Sequence, residues 1–380
     1  MTLFLQKHRH TFTLAGAILL AFAVSACGEN IDLSGAAGLG SSTDVAATDV
    51  VTTEEPAVVV EAPTATPLPA ATGHIIFASN RDGQTDLYMT SPDGAELTRL
   101  TTGAAVDNSS PIRLSPDGTK IAFSATLGGN TDVYVFDLAT NFTTRITDAQ
   151  EKDSSPSWSP NSQQLAFESF RDGNIEIYIA NADGSNPIRL TNDPAGDSNP
   201  IWSPVSNEIL FTSNRFGNSD LMLLNLNGTV STLTTSRAPD NAAAWSPDGN
   251  FIAYQSFSGD ISNICIIGRD GLNQVCPSIP AEYGTPVWSP NGTQIAASTL
   301  SNGVYSISLF NSRDGSSQQI SQPGIEPRGT PAWSPDGLRL VLQTQADGDM
   351  ELFSVFVQTN EFTRITTIAG YDGEPTWIAQ

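Results

Sequence analysis

The feature that most constrains the fold of this chain is a short phrase that recurs at a nearly constant interval. Pro331-Ala332-Trp333-Ser334-Pro335-Asp336-Gly337 is one copy, and each of the 6 tryptophans in the sequence occupies the same slot of such a copy. A leucine fills the earliest slot, and successive slots lie 43 to 45 residues apart at Leu114, Trp158, Trp202, Trp245, Trp288, Trp333 and Trp377. A fixed period of this length indicates a repeat architecture.

Each period carries the signals of four short strands. One period reads as an apolar strand, a Gly-containing turn, a second strand, a tight turn, a third strand and the tryptophan phrase, and its strands are Leu165-Ala166-Phe167, Glu176-Ile177-Tyr178, Arg189-Leu190-Thr191 and Pro200-Ile201-Trp202. Dipeptides such as Asp183-Gly184 supply the positive φ angles that two-residue hairpin turns need. Four short strands per period, with no helical stretch between them, are typical of the blades of a β-propeller.

The sequence contains seven such units, which begin at Ile75, Ile121, Leu165, Ile209, Ile252, Ile295 and Leu340. The first unit lacks its own Pro-x-Trp strand, and the last is followed by a spare one, Pro375-Thr376-Trp377. We therefore predict an all-β fold, a seven-bladed β-propeller of four-stranded antiparallel blades, closed by pairing of the C-terminal strand with the first blade. Closure removes sheet edges that would otherwise favour aggregation.

The repeats also resemble those of a known family. The succession Arg-Leu-Thr, Asp-x-x-Pro-x-Trp-Ser-Pro-Asp-Gly, Ile-Ala-Phe and Asp-Ile-Tyr is similar to the PD40 (WD40-like) repeat of TolB-type propellers, over about 300 residues. The resemblance implies a TolB-like propeller domain at residues 73–380. Some repeats depart from the pattern, with Leu114 for tryptophan, Ala243 for proline, and Tyr283 and Arg328 for aspartate. The best-known member of the family has six blades, so the seven units here are a further departure.

Residues 1–26 have the proportions of a bacterial signal peptide. A basic start at residues 7–10 precedes an apolar run at residues 14–24 that is short for a permanent membrane span. The segment Val24-Ser25-Ala26-Cys27 resembles the lipoprotein box, which implies cleavage before Cys27 and lipidation of its sulfur. Gly28 follows in place of aspartate, so by resemblance to envelope sorting in bacteria with two membranes nothing there retains the protein at the inner membrane. The alternative is an ordinary secretory signal with a chance cysteine.

Residues 27–72 are predicted to be a lipidated Cys27 followed by a disordered tether. From residue 28 to residue 72 the chain is rich in Ala, Thr, Val and Pro and has no aromatic residue, lysine or arginine. Such a composition favours an extended, unpacked linker. The alternative is that the short apolar run at residues 58–60 packs on the body as a strand. The signal segment and Cys27 together predict an extracytoplasmic protein that is lipid-anchored to a membrane, either facing the periplasm or on the outer face of the cytoplasmic membrane.

The net charge and the absence of catalytic motifs exclude some classes of function. Against 17 Lys+Arg stand 40 Asp+Glu, a formal net charge of -23, so the surface repels phosphate backbones and nucleic acid is not expected as a partner. Of 3 histidines, only His74 lies outside the signal segment, and no Gly-x-Ser-x-Gly or His-Glu-x-x-His motif occurs. We therefore predict no catalytic residues, no metal and no cofactor.

The leading hypothesis is a membrane-anchored scaffold in the cell envelope that binds proteins or other ligands. Its partners would be envelope proteins or a cell-wall component, met at the channel mouth or the loop face. One alternative is a polysaccharide-active enzyme, a lyase or hydrolase that uses two channel carboxylates. Another is a cation-binding or solute-binding module.

The repeated side chains have predicted structural roles. Trp158, Trp202, Trp245, Trp288, Trp333 and Trp377 are expected to be wedges between blades, because large aromatics that recur at one strand position fill the core. The aspartates before Pro-x-Trp are expected to cap turns through backbone N–H groups, with calcium binding as the alternative. They are Asp153, Asp197, Asp240 and Asp372.

Two cysteines remain after Cys27, and they flank the Asp270-Gly271 turn symmetrically. A two-residue hairpin sets Cys265 opposite Cys276, within reach of a disulfide, at a hydrogen-bonded position of the ladder. An oxidising compartment permits the bond. The alternative is a pair of buried thiols, because Cys265 takes the place of tyrosine in other repeats. The sequence favours the disulfide.

Overall fold

Short antiparallel strands succeed one another along the chain. The computed structural model of the protein describes residues 70–259, 261–276 and 281–379, and the predicted signal segment and Cys27 lie outside that range. The described residues form 28 strands and contain no helix, and hence no helix long and apolar enough to cross a membrane. The sequence reasoning is confirmed in its fold class, since the strands form seven antiparallel blades in a ring.

The first four blades are built mainly from the N-terminal half of the ring. Their strands are β1 (His74–Ser79), β2 (Asp86–Thr90), β3 (Leu97–Arg99), β4 (Arg113–Leu114), β5 (Lys120–Leu127), β6 (Asn130–Asp137), β7 (Phe142–Arg145), β8 (Asp153–Trp158), β9 (Gln164–Ser169), β10 (Glu176–Asn181), β11 (Ile188–Arg189), β12 (Asp197–Trp202), β13 (Glu208–Ser213), β14 (Asp220–Asn225) and β15 (Val230–Thr232). Blades 2, 3 and 4 are the sheets β4–β7, β8–β11 and β12–β15.

The remaining strands form blades 5 to 7 and complete blade 1. They are β16 (Asp240–Trp245), β17 (Phe251–Ser258), β18 (Ile261–Gly268), β19 (Glu282–Tyr283), β20 (Val287–Trp288), β21 (Gln294–Ser301), β22 (Val304–Asn311), β23 (Ser317–Ile320), β24 (Glu326–Trp333), β25 (Arg339–Ala346), β26 (Asp349–Phe356), β27 (Glu361–Arg364) and β28 (Asp372–Ile378). Blade 5 has three strands and an isolated bridge in place of the fourth, and the first strand of blade 6 is split into β19 and β20.

The C-terminal strand closes the ring, as predicted. Blade 1 has the order β28-β1-β2-β3, so its first strand comes from the end of the chain. His74 pairs with Ile378 and Ile75 pairs with Trp377 in antiparallel register. The spare strand that the sequence showed after the seventh unit is therefore the missing strand of the first.

The hydrophobic core is a ring of seven clusters, one at each junction between neighbouring blades. At the junction between blades 4 and 5, for example, Leu210 and Leu221 of blade 4 pack against Trp245, Ile252 and Tyr254 of blade 5. This division explains the sequence pattern. Each blade is buried on both faces, so its middle strands read as continuous apolar runs rather than as alternating ones.

Candidate functional site: the central channel

The first strands of the blades surround a central cavity of about 830 Å³. Each first strand is the inner edge of its sheet and has no further strand to receive its N–H groups. Proline removes one such donor, and it is accepted in sheets mainly on edge strands. This is the physical reason for the Pro-x-Trp phrase. The prolines that precede the tryptophan or leucine slot and line the cavity are Pro111, Pro156, Pro200, Pro286, Pro331 and Pro375, and three prolines that follow the slot, Pro204, Pro247 and Pro290, line it as well.

A bulge in the first strand of blades 1, 3, 4 and 5 turns one side chain toward the cavity. In blade 3, Ser154 pairs with Glu168 and Ser157 pairs with Ala166, so two residues of β8 face one residue of β9. The first of the two, Ser155, has a positive φ of 57° and lines the cavity. The same bulge gives positive φ angles to the cavity residues Asn199, Ala242 and Glu374. In each of these four blades one residue is thereby presented to the channel.

The cavity wall contains one cationic and one anionic side chain, Arg113 and Glu374. They do not form a direct ion pair, although each acts on the other through space. Burial raises the pKa of Glu374 to about 7, and the nearby Arg113 opposes this rise. The surrounding protein of the channel wall desolvates Arg113 and lowers its pKa, which Glu374 opposes, although the side chain stays exposed to the open lumen. The described wall of the channel thus carries one positive side chain, Arg113, and one negative side chain, Glu374, and the pKa of Glu374 is raised to about 7.

The backbone around Glu374 in blade 1 is held by hydrogen bonds to Gln343 in blade 7. The amide of Glu374 donates to Gln343 Oε1 at 3.2 Å, and the hydroxyl of Tyr371 lies 3.5 Å from the same oxygen. Burial is the main cause that raises the pKa of Tyr371 to about 12. Sequence reasoning missed both Arg113 and Glu374. The signal was available, since a charged residue beside the tryptophan phrase occurs in few of the repeats.

All six predicted tryptophan positions lie at the junctions between blades. Four indoles donate their Nε1–H to a backbone carbonyl in the first strand of the preceding blade, over 3.0 to 3.2 Å; these are Trp158 to Arg113, Trp245 to Ile201, Trp288 to Ala244 and Trp333 to Val287. Trp377 donates instead to Thr72, over 2.9 Å. Trp202 is buried and its Nε1 has no hydrogen-bond partner. Four of the six indoles therefore link the first strands of neighbouring blades.

The aspartates before Pro-x-Trp do not cap turns, so that expectation is wrong for three of them. Each is buried at the start of a first strand and binds an arginine from the turn after the second strand: Asp372 binds Arg81 at 2.7 Å, Asp153 binds Arg171 at 2.9 Å and Asp197 binds Arg215 at 3.0 Å. The arginine reaches back over its own blade because a serine at the end of the second strand holds its Nε. Asp240, the fourth aspartate, binds no arginine among the residues that the structure describes; its recorded hydrogen bond comes from Ser236.

A second series of buried carboxylates begins the third strands, and it also holds arginines. Asp132 binds Arg145 at 2.6 Å, Glu176 binds Arg189 at 2.8 Å and Glu351 binds Arg364 at 3.0 Å. These arginines belong to the Arg-x-Thr phrase of the fourth strand, and the threonine hydroxyl donates to the same carboxylate. The two series meet where blades join, so each of three junctions holds two carboxylates and two arginines.

Cys265 and Cys276 form a disulfide, with their Cα atoms 4.1 Å apart. The expected register was wrong in one respect. Ile266 and Val275 exchange both backbone hydrogen bonds, so the neighbouring cysteines are at a non-hydrogen-bonded position. The cause is the turn, which closes through Gly268 N–H to Leu272 O rather than as a two-residue loop. Cα atoms are closer at such positions.

The ring and its cavity define the class: a closed seven-bladed β-propeller with a central channel of ligand-binding size. A family model described as the TolB beta propeller domain (PD40) matches residues 110–267 and 262–380. The chain therefore belongs to the TolB β-propeller domain family.

Two curated relatives are both called Protein TolB homolog. That of Chlorobium luteolum is 35% identical over 71 residues, which are 19% of this chain and 16% of that protein. That of Chlorobium chlorochromatii is 35% identical over 85 residues, 22% of this chain and 18% of that protein. The match thus spans less than a fifth of the length of these relatives.

Among solved structures, TolB from Acinetobacter baumannii has a TM-score of 0.56 at 21% identity, covering 82% of this chain and 68% of that one. An oligogalacturonate lyase in complex with manganese has a TM-score of 0.63 at 14% identity, covering 74% and 85%. The propeller domain of the Trilobed protease from Pyrococcus furiosus has a TM-score of 0.59 at 16% identity, covering 79% and 96%. At these identities the likeness shows the fold alone.

Proposed function

We propose that the protein is an extracytoplasmic, lipid-anchored scaffold that binds an envelope protein or a cell-wall component in its central channel. The observation that carries this proposal is the pair Arg113 and Glu374, one charge of each sign in an otherwise uncharged wall. A cavity of about 830 Å³ is within the range of ligand pockets. A few placed polar groups in such a pocket orient a ligand rather than attract every charged solute.

The position of the protein outside the cytoplasm is supported by two features. Residues 1–26 have the pattern of a secretory signal, and the disulfide between Cys265 and Cys276 suits an oxidising compartment. The lipid anchor is a proposal about Cys27. Cells fed labelled palmitate should label the wild-type protein and leave a Cys27→Ala variant unlabelled. Equal labelling of both, or of neither, contradicts the anchor.

The enzyme alternative is less well supported by the channel. Glycoside chemistry with two carboxylates needs both groups flanking one bond, about 5–9.5 Å apart. Among the described residues that line the cavity, Glu374 is the single carboxylate and there is no histidine. One protein with a similar fold is an oligogalacturonate lyase, so enzymatic turnover of glycans is tested directly. Turnover of an oligogalacturonate or of a cell-wall glycan, abolished by Glu374→Gln, would favour an enzyme over a scaffold.

The binding proposal is tested by photo-crosslinking in the native envelope. A photoreactive amino acid replaces Asn199, which lines the channel, or, as the matched control, Phe142, which is 65% exposed outside the channel on β7. We expect a defined product from the channel position alone, and its loss in Glu374→Gln and Arg113→Met backgrounds. The same products from both positions, or none from the channel, would overturn channel binding.

A further inference from the structure

The junction between blades 4 and 5 has lost the arginines that its counterparts keep. Its two carboxylates are Asp220, at the start of β14, and Asp240, at the start of β16. Both are buried, with 0% and 1% of their surface exposed. The register shows what is missing. Thr232 pairs with Met222 where Arg189 pairs with Tyr178 in blade 3, and Ser258 takes the place of Arg215.

The two carboxylates are close to one another and under-bonded. Burial raises the pKa of Asp220, and the neighbouring carboxylate of Asp240 raises it further. Thr234 donates to Asp220 over 3.4 Å and Ser236 donates to Asp240 over 3.2 Å. Asp220 Oδ2 and Asp240 Oδ1 are buried and accept no hydrogen bond. Asp153 also leaves one oxygen without a partner, but its other oxygen holds Arg171.

A separate side chain at this junction supplies the independent observation. Blades 1 to 4 have phenylalanine at one position of the second strand, whereas blade 5 has Tyr254, which packs between blades 4 and 5. Its hydroxyl is fully buried and makes no hydrogen bond within 3.5 Å. Burial and then the nearby Asp240 carboxylate raise the pKa of Tyr254, and a hydrogen bond with the Gln274 side chain that is longer than 3.5 Å lowers it. This junction therefore lacks the two arginines that the corresponding junctions contain, and it has one additional buried oxygen, the Tyr254 hydroxyl.

We propose that the Asp220 and Asp240 carboxylates bind a divalent cation, Ca²⁺, between blades 4 and 5. Two carboxylates carry the charge that one such ion neutralises, and oxygen is the ligand that Ca²⁺ prefers. Among the described residues no three His, Cys, Asp or Glu side chains converge, so waters complete the shell. Few protein charges give weak sites, with Kd on the order of 10⁻⁴–10⁻³ M.

The test uses the purified full chain after EDTA treatment, with CaCl2 as the probe and KCl as the comparator. Calorimetry should show one Ca²⁺ per chain, and Ca²⁺ should raise Tm because it binds the folded state alone. Asp240→Asn should weaken Ca²⁺ binding at least about tenfold, since affinity follows the number of ligand charges. Ser258→Arg restores the repeat's own cation and should abolish the Ca²⁺ effect while the fold, followed by circular dichroism, is kept.

Ser301→Arg is the matched control. Ser301 occupies the place of Ser258 in blade 6, where the first-strand aspartate is replaced by Tyr283, so its substitution should leave Ca²⁺ binding unchanged. The proposal is overturned if the parent protein gives neither heat nor a Tm shift at millimolar Ca²⁺. It is also overturned if Ser258→Arg binds as the parent does. Stabilisation by Asp240→Asn with no Ca²⁺ effect in the parent would show that the pair shares a proton instead.

Discussion

Trp377 is the antiparallel register partner of Ile75, and its indole donates a 2.9 Å hydrogen bond to the carbonyl of Thr72. One side chain therefore joins the two ends of the ring. Trp377→Ala removes a buried aromatic from the closing contact, and we expect a loss of about 3–5 kcal/mol in the free energy of unfolding. Denaturant titration measures it. Phe142→Ala, at a side chain that is 65% exposed, is the control and should change stability by about 0.5 kcal/mol or less. Equal effects would argue against closure at Trp377.

The buried pair of Arg81 and Asp372 is the second prediction. The two side chains are 4% and 0% exposed, and Arg81→Met leaves a buried carboxylate without its cation. Such a change costs about 3–5 kcal/mol, whereas the double change with Asp372→Asn should cost less, because no charge remains. Lys152→Met is the control. Its partner Asp107 is 3.7 Å away and the side chains are 44% and 18% exposed, so about 0–1 kcal/mol is expected. A double variant no better than Arg81→Met would contradict the account.

The third prediction concerns pH. The pKa of Glu374 is about 7 in the folded protein, raised from an ordinary value of 4.5. The folded state holds this proton more tightly than the unfolded state, so the stability it contributes is complete below about pH 4.5 and is lost as the pH rises through about 7. Glu374→Gln cannot titrate. The difference in unfolding free energy between variant and parent should therefore grow in favour of the variant from pH 4 to pH 8.

Arg113 provides the control for that titration. The cation lowers the pKa of Glu374, so in Arg113→Met the loss of stability should move to higher pH. Chemical denaturation at several pH values measures both variants. A flat difference between Glu374→Gln and the parent across this range would show that Glu374 keeps an ordinary pKa.

The fourth prediction concerns the disulfide. Without reduction, Cys265 and Cys276 should resist alkylation in the unfolded chain, and reduction should make both reactive. Mass spectrometry counts the added groups. Changing both cysteines to alanine should cost about 3 kcal/mol by the loop-entropy estimate for a separation of 11 residues. Alkylation of both sulfurs before reduction would exclude the bond.

The blade count and the closure could be predicted because they depend only on the period of the tryptophan phrase and on the strand left over after Leu340. The residues that face the channel could not. Whether Glu374 points into the lumen depends on a bulge, and one extra residue in a strand exchanges its two faces.

The aspartate role was wrong for a similar reason. Sequence alone places Asp153 beside a turn, where aspartate often bonds backbone N–H groups. It does not show that Arg171 folds back over the blade to meet it. A comparison of the repeats with one another would have revealed the pairing. The aspartate and the arginine occur together in blades 3 and 4, whereas blade 5 keeps the aspartate and has Ser258 at the place of the arginine.

The bulges in the first strands of blades 1, 3, 4 and 5 have a further consequence for how such a protein changes over time. Ser155, Asn199, Ala242 and Glu374 share a backbone shape but have no common chemistry, so the scaffold imposes no identity on them. Mutation at these places changes the chemistry of the lumen without disturbing the walls that hold it. The chemistry of the lumen and the stability of the fold thereby depend on separate sets of residues.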